Sequence, residues 1–324
     1  MQCLSDLTLG NAHVNPDRPL LGVLLMVGFA ALAPLMDAFA KLAAEAIPIG
    51  QIVATRFSIQ AILLTPIAFM LGTMHRPSRS DLGLHIARAA LILTATAAFF
   101  TALRVMPIAN AISIFFVEPF ILTLLGALLL GEAIGWRRLL ACAVGFVGAL
   151  LVIRPSFTAF GAVALLPLFT AVAFALYMIL TRRMARRLHP VALQAWTALA
   201  AAALILPVLL VFNDTGIAVL DVVIPQGPFW GYLLGVGLVA SVTHLLLSGA
   251  LRFAPAATVA PLQYLEIVAA TGLGYLVFAD FPDALTGLGI AIIIATRVDA
   301  MPNSTIITRF SVPSSITAAM PTDT

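Results

Sequence analysis

The sequence predicts an all-α polytopic membrane protein whose ten transmembrane helices form two inverted five-helix repeats, and three observations carry that expectation. Hydrophobic residues make up 62% of the chain and charged ones 10%, with a mean hydropathy of +1.09, whereas a soluble domain carries roughly 25% charged residues. The stretch Ala102-Leu-Arg-Val-Met-Pro107 that leads to Glu118 returns as Ala250-Leu-Arg-Phe-Ala-Pro255 leading to Glu266, at one offset throughout (250 − 102 = 148). Thr123 and Gly126 recur as Thr271 and Gly274 at the same offset, and a shared offset without a gap is the signature of duplication. The third observation is a charge bias, with twelve of the 17 lysines and arginines falling on one side of the membrane once the apolar runs are threaded through it.

A membrane helix needs about 20 apolar residues to cross ~30 Å of hydrocarbon. Punctuation by Pro, Gly and charge gives ten such runs, in order 20–41, 50–72, 83–104, 108–130, 137–153, 161–181, 191–212, 228–251, 256–278 and 284–297. The fifth is short and the tenth shorter, about 21 Å long at ~1.5 Å per residue. The domains follow as a cytoplasmic segment 1–19, a first repeat 20–153, a second repeat 161–297 and a disordered cytoplasmic tail 298–324, rich in Ser, Thr and Pro and without helical periodicity. With the N-terminus cytoplasmic, the arginine-rich loops, among them Arg182 to Arg187, share its side, while Lys41, Arg104 and Arg154 lie opposite. Both ends are therefore expected in the cytoplasm. Five helices per half invert the second copy relative to the first, as in many secondary carriers.

The composition excludes several classes. A net charge of +3, spread over short loops, does not make a nucleic-acid-binding surface. Cys3 and Cys142 give no disulfide framework. Residues 1–19 have no basic start leading to a cleavage site, so the first helix is expected to be its own signal. No metalloprotease, serine-hydrolase or Walker motif occurs, so an enzyme and a primary pump are not indicated and no cofactor is called for. A small-molecule carrier remains, with a channel or a membrane scaffold as the other readings of a duplicated bundle.

Glu118 and Glu266 sit at the centre of their helices. A carboxylate there costs roughly 2.5–3.5 kcal/mol, so it faces a cavity, a partner or a substrate path; the competing reading is a protonated side chain that glues two helices. Phe115 is expected on the face of Glu118, Gln263 on that of Glu266, and the matched pair Asn110 and Thr258 gives a polar edge. Tyr264 and Phe115 could stack on a planar substrate. Arg56 either snorkels to the outer surface or binds an anionic group. Arg88, with His85, is expected to snorkel to inner-face phosphates, His244 to be a satisfied packing residue, and Asp37 with Lys41 to neutralise each other four residues apart. Small-residue pairs such as Gly231-x-x-x-Gly235, Ala171-x-x-x-Ala175 and Ala141-x-x-x-Gly145 mark close helix packing and leave a homodimer open.

Glu118-Pro119 within an apolar helix, the Leu-Leu-Leu-Gly-Glu132 that closes it, Gly145-Phe-Val-Gly148-Ala-Leu-Leu-Val-Ile-Arg-Pro155 and the second copy together resemble the drug/metabolite transporter superfamily, EamA type. The likeness spans about residues 20–296 and implies a ten-helix carrier of the bacterial inner membrane, moving a small-molecule substrate across the lipid bilayer. Ile267 stands where a second proline is expected, and Ala279-Asp280 where Gly-Glu is. Ile114-Phe-Phe-Val-Glu-Pro119 and Leu262-Gln-Tyr-Leu-Glu-Ile267 look most like a branch that includes bacterial riboflavin importers. Riboflavin uptake is accordingly the sharpest expectation, and export of amino acids or related metabolites the alternative.

Overall fold

A computed structural model describes residues 18–74, 76–130 and 157–279. The fifth and tenth expected helices, the two terminal segments, Cys142 and the Ala141/Gly145 pair lie outside the described residues. The other eight expected helices are present, within a few residues of their expected bounds: α1 Pro19–Ala43, α2 Ile49–Met70, α3 Arg79–Leu103, α4 Ile108–Phe115 continuing as α5 Glu118–Leu130, α6 Leu165–Ala185, α7 Pro190–Phe212, α8 Phe229–Phe253, and α9 Ala256–Val259 continuing as α10 Leu265–Phe278. No strand occurs among the described residues. Among the described residues seven helices, counting Ile108–Leu130 as one and Phe157–Ala185 as one, are long and apolar enough to cross a membrane.

The helix ends follow local chemistry. Pro19 opens α1 and Pro190 opens α7, positions where the missing N–H would have had no partner. Ser78 caps α3, its Oγ accepting from the Asp81 N–H at 3.1 Å and donating to the Asp81 carboxylate at 2.8 Å. His189 caps α7, and partial burial followed by the Arg252 charge holds its pKa below the ordinary value.

The most consequential local feature is a break in each of the matched helices. Pro119 has no N–H for the Phe115 carbonyl and its ring crowds that carbonyl; α4 ends at Phe115, and a turn over Phe116 and Val117 precedes α5. In the second copy a 3₁₀ run, Ala260–Tyr264, contains Pro261 and separates α9 from α10. Different prolines therefore interrupt equivalent places, and Glu118 and Glu266 each fall in the first turn of a new half-helix.

Helix pairing repeats between the halves. α1 packs on α8 as α6 packs on α3; α1 meets α10 as α6 meets α5; α4 meets α10 as α9 meets α5; and α2 pairs with α7. Exchanging the two halves leaves the list unchanged. The pairs of α1 with α8 and of α2 with α7 run antiparallel. Gly22 lies against Ala254, Gly28 against Leu246 and Gly235 against Phe39 along α1 and α8; Ala54 packs with Ile205 and Leu209, while Leu64 and Ala68 pack with Ala192 and Ala195, along α2 and α7.

Lipid gives no hydrophobic drive for helices to pair, so close contact depends on small residues. A Cβ on Gly22 would come 2.6 Å from that of Ala254, and one on Gly235 would come 2.8 Å from the Phe39 ring. Gly231, by contrast, has nothing among the described residues within 4 Å of where its Cβ would stand. The Gly231/Gly235 pair is thus not one contact stripe: Gly235 is used inside the chain by Phe39. On the outside of the bundle, Ile62, Met70, Leu128, Leu210 and Leu276 are exposed, as a lipid-facing surface requires.

One end of the bundle gathers the arginines. Arg182 Nη1 donates to the Leu251 carbonyl at 2.6 Å, Arg252 Nη1 donates to that of Leu188 at 3.1 Å, and Arg187 pairs with Asp81 at 3.6 Å. At the other end, the chain between α7 and α8 is strapped onto the start of α2. There the Gln51 side chain exchanges hydrogen bonds with the Val223 backbone at 2.8 and 2.9 Å, and the Gly50 N–H reaches the Val219 carbonyl at 2.9 Å.

Candidate functional site

A cavity of about 540 Å³, open mouth included, lies at the junction of α1, α2, α3, α4, α6, α8 and α10, so both halves build its wall. Five phenylalanines, Phe29, Phe99, Phe100, Phe115 and Phe174, stand among its lining residues. Phe115 sits edge-on to Phe99 and Phe174 at centroid distances of 5.9 and 5.6 Å, and Phe174 stacks on Tyr177 behind it at 5.6 Å. Edge-to-face packing of this kind holds the rings without a polar contact. Into this apolar wall project Asp37, Arg56, Thr96, Thr170, His244 and Glu266.

Arg56 is 1% exposed, so the snorkelling expectation is corrected. Its face of α2 turns toward α3 and α8, where Thr96 Oγ1 accepts from Nη1 and His244 Nε2 accepts from Nη2 at 2.6 Å. A guanidinium only donates, so the His244 proton is on Nδ1, which faces the Tyr177 hydroxyl at 3.2 Å. Gln194 Nε2 donates to that hydroxyl at 3.0 Å and to the His244 carbonyl at 3.1 Å, and also reaches Ser248 Oγ. A buried polar network of this type specifies one arrangement of its helices when its members are satisfied.

Arg88 also departs from expectation, being fully buried rather than reaching the inner surface. It faces α6 and α7, not lipid or solvent. Nε donates to Thr181 Oγ1 at 3.0 Å, Nη1 to Thr197 Oγ1 at 2.5 Å and the Leu193 carbonyl at 3.2 Å, and Nη2 to the Tyr177 hydroxyl at 3.0 Å. His85 is buried with it, its ring 6.1 Å from Trp196. The expected Asp37/Lys41 couple is divided as well. Lys41 Nζ donates to the Met106 carbonyl at 3.3 Å and lies 4.6 Å over the Phe278 ring, while Asp37 turns into the cavity within range of the Arg56 charge.

The two matched glutamates are both buried but not equivalent. Glu266 lines the cavity; Glu118 does not, and stands close enough for its charge, with that of Asp37, to bear on Glu266. Phe115 lines the cavity without Glu118, although the two were expected on one face, because the break after Phe115 separates their facing. Gln263 is buried outside the lining, its Nε2 on Met178 Sδ at 3.1 Å, since a 3₁₀ run with three residues per turn shifts the face it would occupy in an α-helix. Asn110 and Thr258 are half-buried and also outside the lining. The Tyr264 side chain lies outside the described residues.

Asp37, Thr96, Thr170, His244, Tyr177 and Gln194 were not singled out by sequence as one group. One signal was there: Asp37 stands six residues before the end of α1 and Arg56 seven after the start of α2, opposite charges at equal depth in consecutive helices. Among the described residues no His, Cys, Asp and Glu group is placed to hold a metal ion.

The family model of the EamA-like transporter family matches residues 20–154 and again 161–297. Among curated relatives, the pseudopaline exporter CntI of Pseudomonas aeruginosa is 28% identical over 278 residues, covering 86% of this chain and 94% of its own. A riboflavin transporter of Rhizobium johnstonii is 26% identical over 307 residues, 93% and 97% of the two chains. An S-adenosylmethionine uptake transporter of Rickettsia felis is 27% identical over 239 residues, 74% and 78% of the two chains.

Proposed function

The chain belongs to the EamA-like transporter family, within the drug/metabolite transporter superfamily, and from that premise we propose that it is a gradient-driven carrier of a small organic metabolite that passes through the central cavity. It is a multi-pass membrane protein, and the family and its relatives are transporters, not enzymes. The observation that carries the carrier reading is the cavity itself: walls from both halves, with Asp37, Arg56 and Glu266 buried at membrane depth. Ionisable groups are kept in such places for a substrate or ion path, and a site between two repeats lets one half rock on the other.

The ten-helix, inverted arrangement belongs to this proposal. An odd number of crossings per half inverts the second half, and the antiparallel packing of α2 on α7, the second helix of each half, supports it. The common end of Arg182, Arg187 and Arg252 supports a cytoplasmic placement for that end, and with it for the start of α1.

The charged lining favours a substrate that itself bears charge, as does the likeness to an S-adenosylmethionine uptake transporter. Riboflavin is the second reading, favoured by the five phenylalanine rings and by the Rhizobium relative. Uptake and efflux of a labelled panel containing riboflavin, amino acids and S-adenosylmethionine in proteoliposomes tests both. Flux of a charged member above empty liposomes is expected. Flux of riboflavin alone would replace the charged-metabolite reading, and no flux of any organic solute under an imposed proton or sodium gradient would remove the carrier reading.

A further inference from the structure

The strap between α7 and α8, residues 213–228, closes much of its polar chemistry within the fold and turns apolar side chains outward. Asn213 Oδ1 accepts from the Val222 N–H at 2.8 Å, and Asn213 Nδ2 donates to the Asp214 carboxylate at 2.7 Å. Thr215 Oγ1 donates to the Phe212 carbonyl at 2.6 Å. The backbone at Val219 and Val223 is held by Gly50 and Gln51 of α2. A Cβ on Gly50 would stand 2.7 Å from the Val219 carbonyl oxygen, so the missing side chain is what lets the strap lie on α2. Leu220 packs inward on Ala54, Ile205 and Leu209. Ile217, Val219, Val222, Val223 and Ile224 are exposed, the last at 83%.

This surface joins two that face lipid. Leu210, Val211 and Phe212 end α7 exposed, and Trp230, 60% exposed, and Leu234 begin α8 exposed. No lysine or arginine occurs between Arg187 and Arg252. The 22 residues of α2 make a helix about 33 Å long at ~1.5 Å per residue, close to the ~30 Å of hydrocarbon it crosses. Its first turn, which carries Gly50 and Gln51, therefore lies at the membrane boundary, and the strap with it. Irregular backbone lies against lipid only where its hydrogen bonds are closed, a condition the tethers to Gln51, Gly50 and Asn213 serve. An indole settles at headgroup level, and contiguous exposed apolar side chains mark a contact surface.

We infer that the strap is seated in the lipid headgroup interface at the end of the bundle opposite the arginines, with Val222, Ile224 and Trp230 among the lipids and Asp214 toward water. The partner is the lipid surface because the patch connects the lipid-facing ends of α7 and α8. The seating depends neither on what the carrier moves nor on which way the bundle faces.

The test uses the full chain with Cys3→Ala and Cys142→Ala, in nanodiscs that hold one chain each. Ile224→Cys or Asp214→Cys carries an environment-sensitive NBD label, quenched either by lipids with a nitroxide headgroup or by aqueous iodide. The ratio of lipid to iodide quenching is expected to be roughly fivefold or more higher at position 224 than at 214, with blue-shifted emission at 224. Without any label, the difference in quenching by dibrominated lipids between the unmodified chain and Trp230→Phe isolates the Trp230 signal, which should be lipid-quenched. Position 224 as open to iodide as position 214 overturns the inference, and so does a Trp230 signal that dibrominated lipids leave unchanged. Shielding of position 224 from iodide in densely loaded proteoliposomes that disappears in one-chain nanodiscs would show a second copy covering the patch, and overturns it as well.

Discussion

Arg88 on α3 donates to the Tyr177 hydroxyl on α6 at 3.0 Å, with its guanidinium carbon 4.7 Å from the centre of that ring. The same side chain holds Thr181 and, on α7, Thr197. A cation sealed among hydroxyls is a joint between three helices that span both halves. Because Tyr177 also contacts His244, the joint reaches the cavity wall.

Arg88→Met is expected to destabilise the folded chain. It removes the charged hydrogen bonds that the hydroxyls of Tyr177, Thr181 and Thr197 accept from the guanidinium, each worth about 1.5–3 kcal/mol, although Thr181 and Thr197 keep their bonds to backbone carbonyls and Tyr177 keeps Gln194 and His244. Thr181→Val removes one acceptor and should cost less. Thermal unfolding of the two variants in nanodiscs checks the order, and an Arg88→Met midpoint equal to that of Thr181→Val would contradict the joint.

The glycines of α1 and α8 should separate by position. Gly22→Ala and Gly235→Ala place a Cβ at 2.6 and 2.8 Å from neighbouring atoms, an overpacking expected to cost about 1–3 kcal/mol. Gly231→Ala, with nothing among the described residues within 4 Å, should be neutral or gain up to about 1 kcal/mol from helix propensity. Unfolding midpoints of the three variants provide the comparison, and a Gly231→Ala loss matching that of Gly235→Ala would restore the paired-glycine stripe.

Glu118→Gln and Glu266→Gln should each lower substrate flux at least tenfold while leaving the amount of protein in the membrane unchanged. Glu266→Gln should in addition weaken substrate competition, because Glu266 lines the cavity and Glu118 does not. Flux assays in proteoliposomes decide it. Full activity of both variants leaves only the helix-gluing role.

Reporter fusions after Arg186 and after Pro225 should report opposite faces of the membrane, Arg186 on the cytoplasmic one. Of the described helices only α7 separates the two positions, Pro225 lying in the strap that follows it. A cytoplasmic signal from both would remove the inverted arrangement and the orientation together.

The eight described helices were legible because apolar length is what a bilayer demands, and neither tertiary contact nor neighbour can change it. The duplication was legible for the same kind of reason: the spacing from Arg104 and Pro107 to Glu118 is written again from Arg252 and Pro255 to Glu266. The breaks beside the glutamates fall at prolines, Pro119 and Pro261, each of which lacks the N–H a helix needs. Pro34, Pro66 and Pro207, however, lie inside α1, α2 and α7 without ending them, so a proline alone does not fix where a helix breaks. What the sequence determined by itself was therefore the number of apolar runs, their punctuation and the matched place of two carboxylates.

Only the tertiary structure decided which of those polar groups share a cavity. Depth along a helix can be counted from residue numbers, but the direction a side chain faces depends on which helix lies beside it. Arg56 and Arg88 were read toward the surface, yet α8 and α6 present His244 and Tyr177 to them from more than 80 residues away in the chain. Asp37 left its neighbour Lys41 for the cavity, and Glu118 and Glu266, identical in sequence position, differ in access because the 3₁₀ run and the turn before them rotate the two half-helices differently. A buried charge takes the partners that packing brings to it, and packing is a property of the whole bundle.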